Sequence, residues 1–230
     1  MTLQEAIKQR HSVRRYVHKP LSAEIVETLR KKIEECNAEG GLHIQLVTNE
    51  TRAFTGLFSY GKFSGVENYI VMVGKKADDL DERVGYYGEQ LVLLAQTLGL
   101  NTCWAGLSYR RVDEAYSVGD DEKLTCMIAL GYGATQGHKR KSKTAEQVSN
   151  VCSDSPEWFR NGVEAALLAP TAINQQKFSF TLLPNEQDTE DKPKVLAKRG
   201  FSMVGYTKMD IGIARLHFEI GAGTENFDWA

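Results

Sequence analysis

Arg10-His11-Ser12-Val13-Arg14-Arg15-Tyr16 follows a short amphipathic run in which Leu3, Ala6 and Ile7 recur at helical spacing. Two guanidinium groups, an imidazole and a hydroxyl fall within five consecutive positions. Arginine's planar fork of N–H donors is the side chain best shaped to clamp a phosphate, so the stretch reads as an anion site. It also reads as a helix end, where cations offset the negative pole of the dipole. A second stretch stands out far along the chain, Ala169-Pro170-Thr171-Ala172-Ile173-Asn174-Gln175-Gln176. It is either a helix-ending Ala-Pro turn or a turn whose amides offer donors and acceptors to a ligand.

Outward from the first stretch, Lys19-Pro20 interrupts the chain and Ser22 starts a second helix through Ile25, Leu29 and Ile33 toward Cys36. After Gly40-Gly41, residues 42–47 and 68–74 alternate or run apolar and are β-rich, as core strands are. Residues 55–65 between them mix glycine and aromatics with neither period, which fits a functional loop or a plain surface loop. A long helix is expected from Tyr86 to about Leu98, closed by Gly99 where a left-handed cap is common. A short helix is expected around Glu114, and residues 124–130 form a buried strand ending in Gly131-Tyr132-Gly133. Residues 137–143 are strongly basic, and 144–154 read as a polar linker.

Beyond that linker the pattern restarts. Ser22-Ala23-Glu24 opens a helix leading to a strand that ends Leu46-Val47-Thr48-Asn49-Glu50; Ser155-Pro156-Glu157 opens a helix leading to Leu182-Leu183-Pro184-Asn185-Glu186. Val84-Gly85-Tyr86 before the long helix is echoed by Val204-Gly205-Tyr206 before residues 209–221. The order and element types agree at both places, so the chain reads as an internal duplication: an N-terminal half over 1–143, a linker over 144–154 and a C-terminal half over 155–230.

Composition narrows the class. The 230 residues are 42% hydrophobic, 25% charged and 9% aromatic, ordinary for a globular protein large enough to bury a core without staples. A net charge of −2 provides no field to recruit nucleic acid or anionic membrane, so any anion must be held by local charge. Cys36, Cys103, Cys126 and Cys152 are widely spaced with no C-x-x-C and no histidine partners, which argues against a metal site or a disulfide framework and fits a reducing cytoplasm. No apolar run approaches the length of a signal or membrane segment.

Four stretches in order, Arg10-His11-Ser12-Val13-Arg14, Gly99-Leu100-Asn101-Thr102-Cys103-Trp104-Ala105-Gly106, Lys141-Ser142-Lys143 and the stretch ending Asn174-Gln175-Gln176, resemble the FMN-binding elements of the nitroreductase family. The resemblance implies an α+β nitroreductase-like fold. Ordinary members are homodimers with two flavins at the interface. Here the phosphate-type motif stands only in the first half and the Ala-Pro-Thr-Ala-Ile-Asn element only in the second; Cys36-Asn37-Ala38-Glu39-Gly40-Gly41 takes its place in the first. The chain therefore resembles a branch in which one polypeptide mimics the dimer. Two related halves, each with an antiparallel sheet and helices, would form a pseudo-dimer that keeps one flavin site and works as a monomer or a weak homodimer.

The same resemblance gives the residues roles. Arg10, Ser12 and Arg14, with Lys141 and Lys143, would hold the FMN phosphate, with Lys139 and Arg140 close enough to exchange roles and a solvated linker as the other reading of the basic run. His11 would lie beside the flavin or simply at the surface. Asn174 would meet the ring edge while Pro170, Thr171 and Ala172 press on the ring from the other half. The Trp104-Ala105-Gly106-Leu107 turn would aim a backbone N–H at the flavin, or is a tight turn packed by Trp104; Ala105 stands where some relatives carry an acid. The implied activity is hydride transfer from NADH or NADPH through the flavin to a small acceptor such as a nitro compound, quinone or flavin. No nucleophile, metal or indispensable side-chain acid or base is expected. The other reading is a non-catalytic flavin-binding or flavin-handling protein, with residues 55–65, including Phe58, Tyr60 and Phe63, deciding whether the ring face stays open.

Overall fold

Thr2 starts the chain's first helix: its hydroxyl accepts from Glu5 N while the Glu5 carboxylate accepts from Thr2 N, a capping box for α1 (Leu3–Gln9). The computed structural model describes residues 1–56, 63–184 and 192–230. Ser22 caps α2 (Ala23–Gly40), which stops at Gly41 in the left-handed conformation that glycine tolerates. Then follow β1 (Gln45–Val47), β2 (Asn68–Lys75), α3 (Leu80–Thr97), β3 (Asn101–Ala105) and β4 (Glu122–Gly131). The four strands form one antiparallel sheet in the order β1-β2-β4-β3.

Why β2 is apolar throughout follows from what covers it. Alternate residues of a strand face opposite sides, and here both sides are packed. Ile70 and Met72, opposite Ile128 and Cys126 of β4, join the core formed with α2, α3 and α5. Tyr69, Val71 and Val73 join a second cluster with Val13, Phe54 and Phe63.

The second half contributes α4 (Glu157–Ala166), β5 (Phe178–Leu182), β6 (Lys194–Arg199), α5 (Thr207–Ala222) and β7 (Asp228–Trp229). Its sheet runs β5-β6-β7, with β5 antiparallel to β6 but β7 parallel to it, so it is mixed where an antiparallel sheet is expected. A long axis of contact joins the halves. A Cβ added to Gly85 of α3 would overlap the Met209 carbonyl oxygen on α5, and one added to Gly212 of α5 would overlap the Glu82 carbonyl oxygen on α3. The same sequence separation relates Gly85 to Gly212 and Glu82 to Met209, so each helix offers the other the same pair of positions.

Other expectations shift. The long helix begins at Leu80 rather than near Tyr86, because Gly85 and Gly88 are interior positions where the helix is closely approached. The first strand is only Gln45–Val47, and no helix forms around Glu114, where the chain makes a turn. The Val-Gly-Tyr echo is out of register: Gly85 lies inside α3, whereas Gly205 (φ +79°) and Tyr206 (φ +61°) form a left-handed turn ahead of α5. Within residues 144–154, Val148 is fully buried, its carbonyl accepts from Phe180 N, and Ser149 bridges to Phe180, while residues 152–154 are exposed. Of the second echo's strand end, Asn185 and Glu186 lie outside the described residues, as do Phe58 and Tyr60 of the 55–65 loop.

Candidate functional site

Past Arg10 the chain becomes extended and lies along β3. Ser12 forms a parallel bridge with Thr102, and Val13 N donates to Thr102 O at 3.0 Å. Tyr16 Oη pins the strip by donating to Val13 O at 2.6 Å. With Val13 turned into the core, Ser12 and Arg14 face a cavity of about 360 Å³. That is the lower part of the range for small-ligand sites.

The cavity's second wall is the end of β3. Trp104, Ala105, Gly106 and Leu107 line it, and the amides of Gly106 and Leu107 lie beyond the strand's last ladder pair, Ala105↔Met127. A side chain at Gly106 would meet Tyr206 Oη at 2.5 Å, so glycine is what lets the two segments close on one another. The third wall is Pro170, Thr171, Ala172 and Ile173.

That third wall is under backbone strain. Ile173 (φ +46°), Asn174 (φ +60°) and Gln176 (φ +44°) all adopt left-handed conformations, which a β-branched residue accepts only at a cost of about 1–3 kcal/mol. Neighbouring bonds hold them there. Asp210 Oδ1 accepts from Ala172 N at 2.9 Å and its Oδ2 from Gln175 Nε2 at 2.7 Å. Gln176 donates to Leu167 O and Ser142 Oγ and accepts from Lys143 N. Asn174 Nδ2 donates to Lys141 O at 2.6 Å. The turn is thus stitched to the basic run, and Ile173 stands at the cavity mouth 79% exposed.

Behind the cavity lies a buried polar network. Glu89 and His217 are both fully buried. Glu89 Oε2 accepts from Trp104 Nε1 at 2.9 Å, and Glu89 Oε1 faces His217 Nε2 at 2.9 Å and Arg10 Nε at 3.8 Å. His217 Nδ1 faces the Ala165 carbonyl, which can only accept, so that nitrogen is the donor there. The indole of Trp104 fits over Gly88, where a Cβ would meet its ring at 2.5 Å. The network therefore fixes the cavity wall from behind.

Of the sequence candidates, Ser12, Arg14, Trp104, Ala105, Gly106, Leu107, Pro170, Thr171 and Ala172 share this one cavity. Arg10, His11, Lys141, Lys143 and Asn174 do not line it. Arg10, 7% exposed, sits beside Glu89, and burial pushes its guanidinium down. His11 packs against Gly137. Lys143 Nζ donates to Gln176 O, and burial and Lys177 push the ammonium down. The cation that lies near Arg10 is Arg140: it donates to Leu167 O and Ala169 O, and burial with the neighbouring Arg10 lowers it to about 10.

Sequence reasoning missed Tyr206 ahead of α5 and Met209, Asp210 and Ile213 within it, together with Cys126 and Ser108, all in the cavity wall. It also missed Glu89 and His217. A signal existed for three of them: Asp210, Glu89 and His217 are polar residues on the apolar faces of long helices. Burial raises Asp210 to about 6 against the two hydrogen bonds that lower it. Among the described residues, no cluster of three or more His, Cys, Asp or Glu could hold a metal, and no helix is long and apolar enough to cross a membrane.

Residues 2–222 match the family model described as "Putative TM nitroreductase". The fold is shared with a putative nitroreductase of Thermotoga maritima, at 23% identity and a TM-score of 0.62 over 96% of this chain and 83% of that one. It is also shared with a putative nitroreductase of Desulfovibrio desulfuricans solved in complex with FMN, at 16% identity and 0.51 over 68% of this chain and 98% of that one. A nitroreductase family protein of Streptococcus pneumoniae matches at 12% identity and 0.51 over 64% and 98%. No curated protein matches the chain in sequence.

Proposed function

The chain belongs to the family described as putative TM nitroreductases, and from that premise we propose that it is an FMN-dependent oxidoreductase passing hydride from NADH or NADPH to a small acceptor. The observation that carries the reading is convergence. Ser12 and Arg14, Trp104 to Leu107, and Pro170 to Ala172 come from three distant parts of the chain and meet at one cavity. FMN is the ligand named for the Desulfovibrio relative.

The residues present fit that group. Arg14 lines the cavity, and Arg10 and Arg140 lie together beside the buried Glu89; burial and the neighbouring Arg10 push Arg140 down to about 10, a repulsion that a phosphate dianion within reach of these cations would relieve. Among the described residues, Asn174 Oδ1 and Gln175 Oε1 are buried acceptors without partners, on the turn that continues from the Pro170–Ile173 wall. Trp104, Phe63 and Pro170 supply apolar surface for a flat ring. Bound flavin would supply the redox chemistry. The chain's part is to clamp the phosphate, offer amides past β3 to developing negative charge, and hold the turn from 171 to 176 rigid.

Duplication is part of this reading. The element order α-β-β-α-β occurs from α2 to β3, before β4, and again from α4 to β7, and the reciprocal glycine contact between α3 and α5 is what a two-fold interface between related helices leaves behind. One chain then holds one flavin. The test is the absorbance of purified protein titrated with FMN, bleaching by NADH or NADPH, and flavin stoichiometry alongside mass by light scattering. Absence of saturable FMN binding refutes the cofactor; two flavins per chain refute the single-site arrangement.

A further inference from the structure

The cavity holds a buried acid with no ionic partner among the described residues. Asp210 lies in the first turn of α5, 2% exposed, and forms part of the cavity wall. Among the described residues its oxygens accept only from Ala172 N and Gln175 Nε2, both neutral donors. The titratable groups sharing the cavity are Arg14 from the N-terminal strip, Cys126 from β4 and Tyr206 at the head of α5. On α3, which packs against this turn, Glu82 is engaged by Arg215 and Asp81 by Lys123.

We propose that Asp210 is a catalytic acid, donating a proton to the electron acceptor bound in this cavity; the inference deepens the flavin reading and rests on it. Reduction of a quinone-class acceptor by two electrons needs one hydride and one proton. The hydride, with its electron pair, comes from the reduced flavin and ends on one quinone oxygen. The proton leaves the Asp210 carboxyl as its O–H bond breaks, forms the O–H bond at the other oxygen, and is replaced from water. The carboxylate that remains is held by the Ala172 N–H, the Gln175 amide and the positive end of α5. Burial keeps the protonated form accessible near pH 6.

Asp210→Asn tests the assignment by removing the acid at nearly constant shape: among the described residues Gln175 Oε1 is buried without a partner, and its amide can turn to accept from the new Nδ2 at the cost of the bond that Gln175 Nε2 gives Gly205 O. In flavin-free protein, carboxyl ¹³C resonances are expected to include one titrating near pH 6 that Asp210→Asn removes. In stopped flow, reoxidation of the reduced enzyme by a quinone is expected to slow by about a hundredfold or more and to lose both its pH dependence and its solvent isotope effect. Ferricyanide accepts electrons without a proton and serves as the reference. A fall in the quinone-to-ferricyanide rate ratio supports the proposal. Equal slowing with both acceptors, or a wild-type quinone rate that is flat with pH and insensitive to D₂O, overturns it. The wild-type profile decides the matter even where the variant does not fold. Protein that binds no flavin sinks the flavin reading, a separate result visible before any acceptor is added.

Discussion

Gly85→Ala and Gly212→Ala test the α3–α5 crossing by the sign of their effect. Inside an exposed helix, alanine is favoured over glycine by about 1 kcal/mol, so a glycine with no packing role would give a more stable protein when replaced. Here the added Cβ at Gly85 overlaps Met209 O and stands 3.2 Å from Ile213 N, and the one at Gly212 overlaps Glu82 O and stands 2.9 Å from Tyr86 N. These are backbone atoms, which cannot rotate aside. Ordinary contact requires the helices to part by about 1 Å, which thins the van der Waals contacts along the whole interface. Overpacking typically costs 1–3 kcal/mol. With backbone as the obstacle we take about 3–4, and the helix gain leaves a net loss of about 2–3 kcal/mol for each variant. At this size that is a fall in Tm of roughly 5–10 °C. One separation accommodates both methyl groups, so the double variant is expected to lose about 1–2 kcal/mol less than the two losses added together. Urea denaturation of the two singles and the double measures all three quantities. A higher Tm in either single, or strict additivity, refutes the reciprocal contact.

Glu89→Ala leaves His217, Arg10 and the Trp104 indole N–H without their shared acceptor, and a loss of about 3–5 kcal/mol with a shift in tryptophan emission is expected in urea titrations; an effect below about 1 kcal/mol would mean solvent replaces the carboxylate. Arg10→Gln removes charge from the phosphate end of the site and is expected to weaken FMN by about ten- to a hundredfold while barely changing riboflavin, as read by fluorescence titration; equal weakening of both removes Arg10 from phosphate binding. Because Asp210 is raised from 3.8 to about 6 in the folded protein, the folded state holds the extra proton between those values. Its contribution to stability is full below about pH 3.8 and is lost as pH rises through about 6, by about 3 kcal/mol. The difference between wild type and Asp210→Asn across that window measures it, and a difference that does not vary with pH contradicts the burial.

What was legible in the sequence is what has a local cause. Ser22 and Gly41 bound α2 because capping is a matter of one side chain and one backbone angle. The β-rich stretch 68–74 was legible as a core strand, though not that both of its faces are covered. It was the resemblance to the nitroreductase family, not spacing or local pattern, that put Ser12, Arg14 and the Pro170 turn at one site, and the cavity brings them together. The misses have long-range causes. Arg140 rather than Lys143 lies near Arg10 because Lys143 is consumed by the carbonyl of Gln176, 33 residues away. Gly85 aligns with Gly212, not with Gly205, because close helix approach, invisible in a tripeptide echo, sets the correspondence. Asp210 reaches the cavity only because α5 crosses beneath the turn it anchors.

On the duplication proposed above, with α4 as the counterpart of α2, the comparison of the halves accounts for a single site per chain. α2 runs 18 residues to Gly40, whereas its counterpart α4 runs 10 residues to Ala166 and then yields to Pro170 and the left-handed turn through Gln176. Residues 36–40 are therefore helix, so the stretch in which the second half makes its cavity wall is spent in the first on further turns of α2. The other component is missing from the opposite side: α4 is preceded by a three-residue 3-10 helix at Ala145–Gln147, capped by Thr144, and no arginine strip lies between it and α4. A second site would need both changes at once, since a wall without the strip lacks the cations for a phosphate and a strip without the wall has nothing to press against the ring. Grafting Arg and Ser before α4 alone is accordingly expected to leave the flavin stoichiometry at one per chain, and a second equivalent bound by such a variant would show that the long α2 is not the barrier.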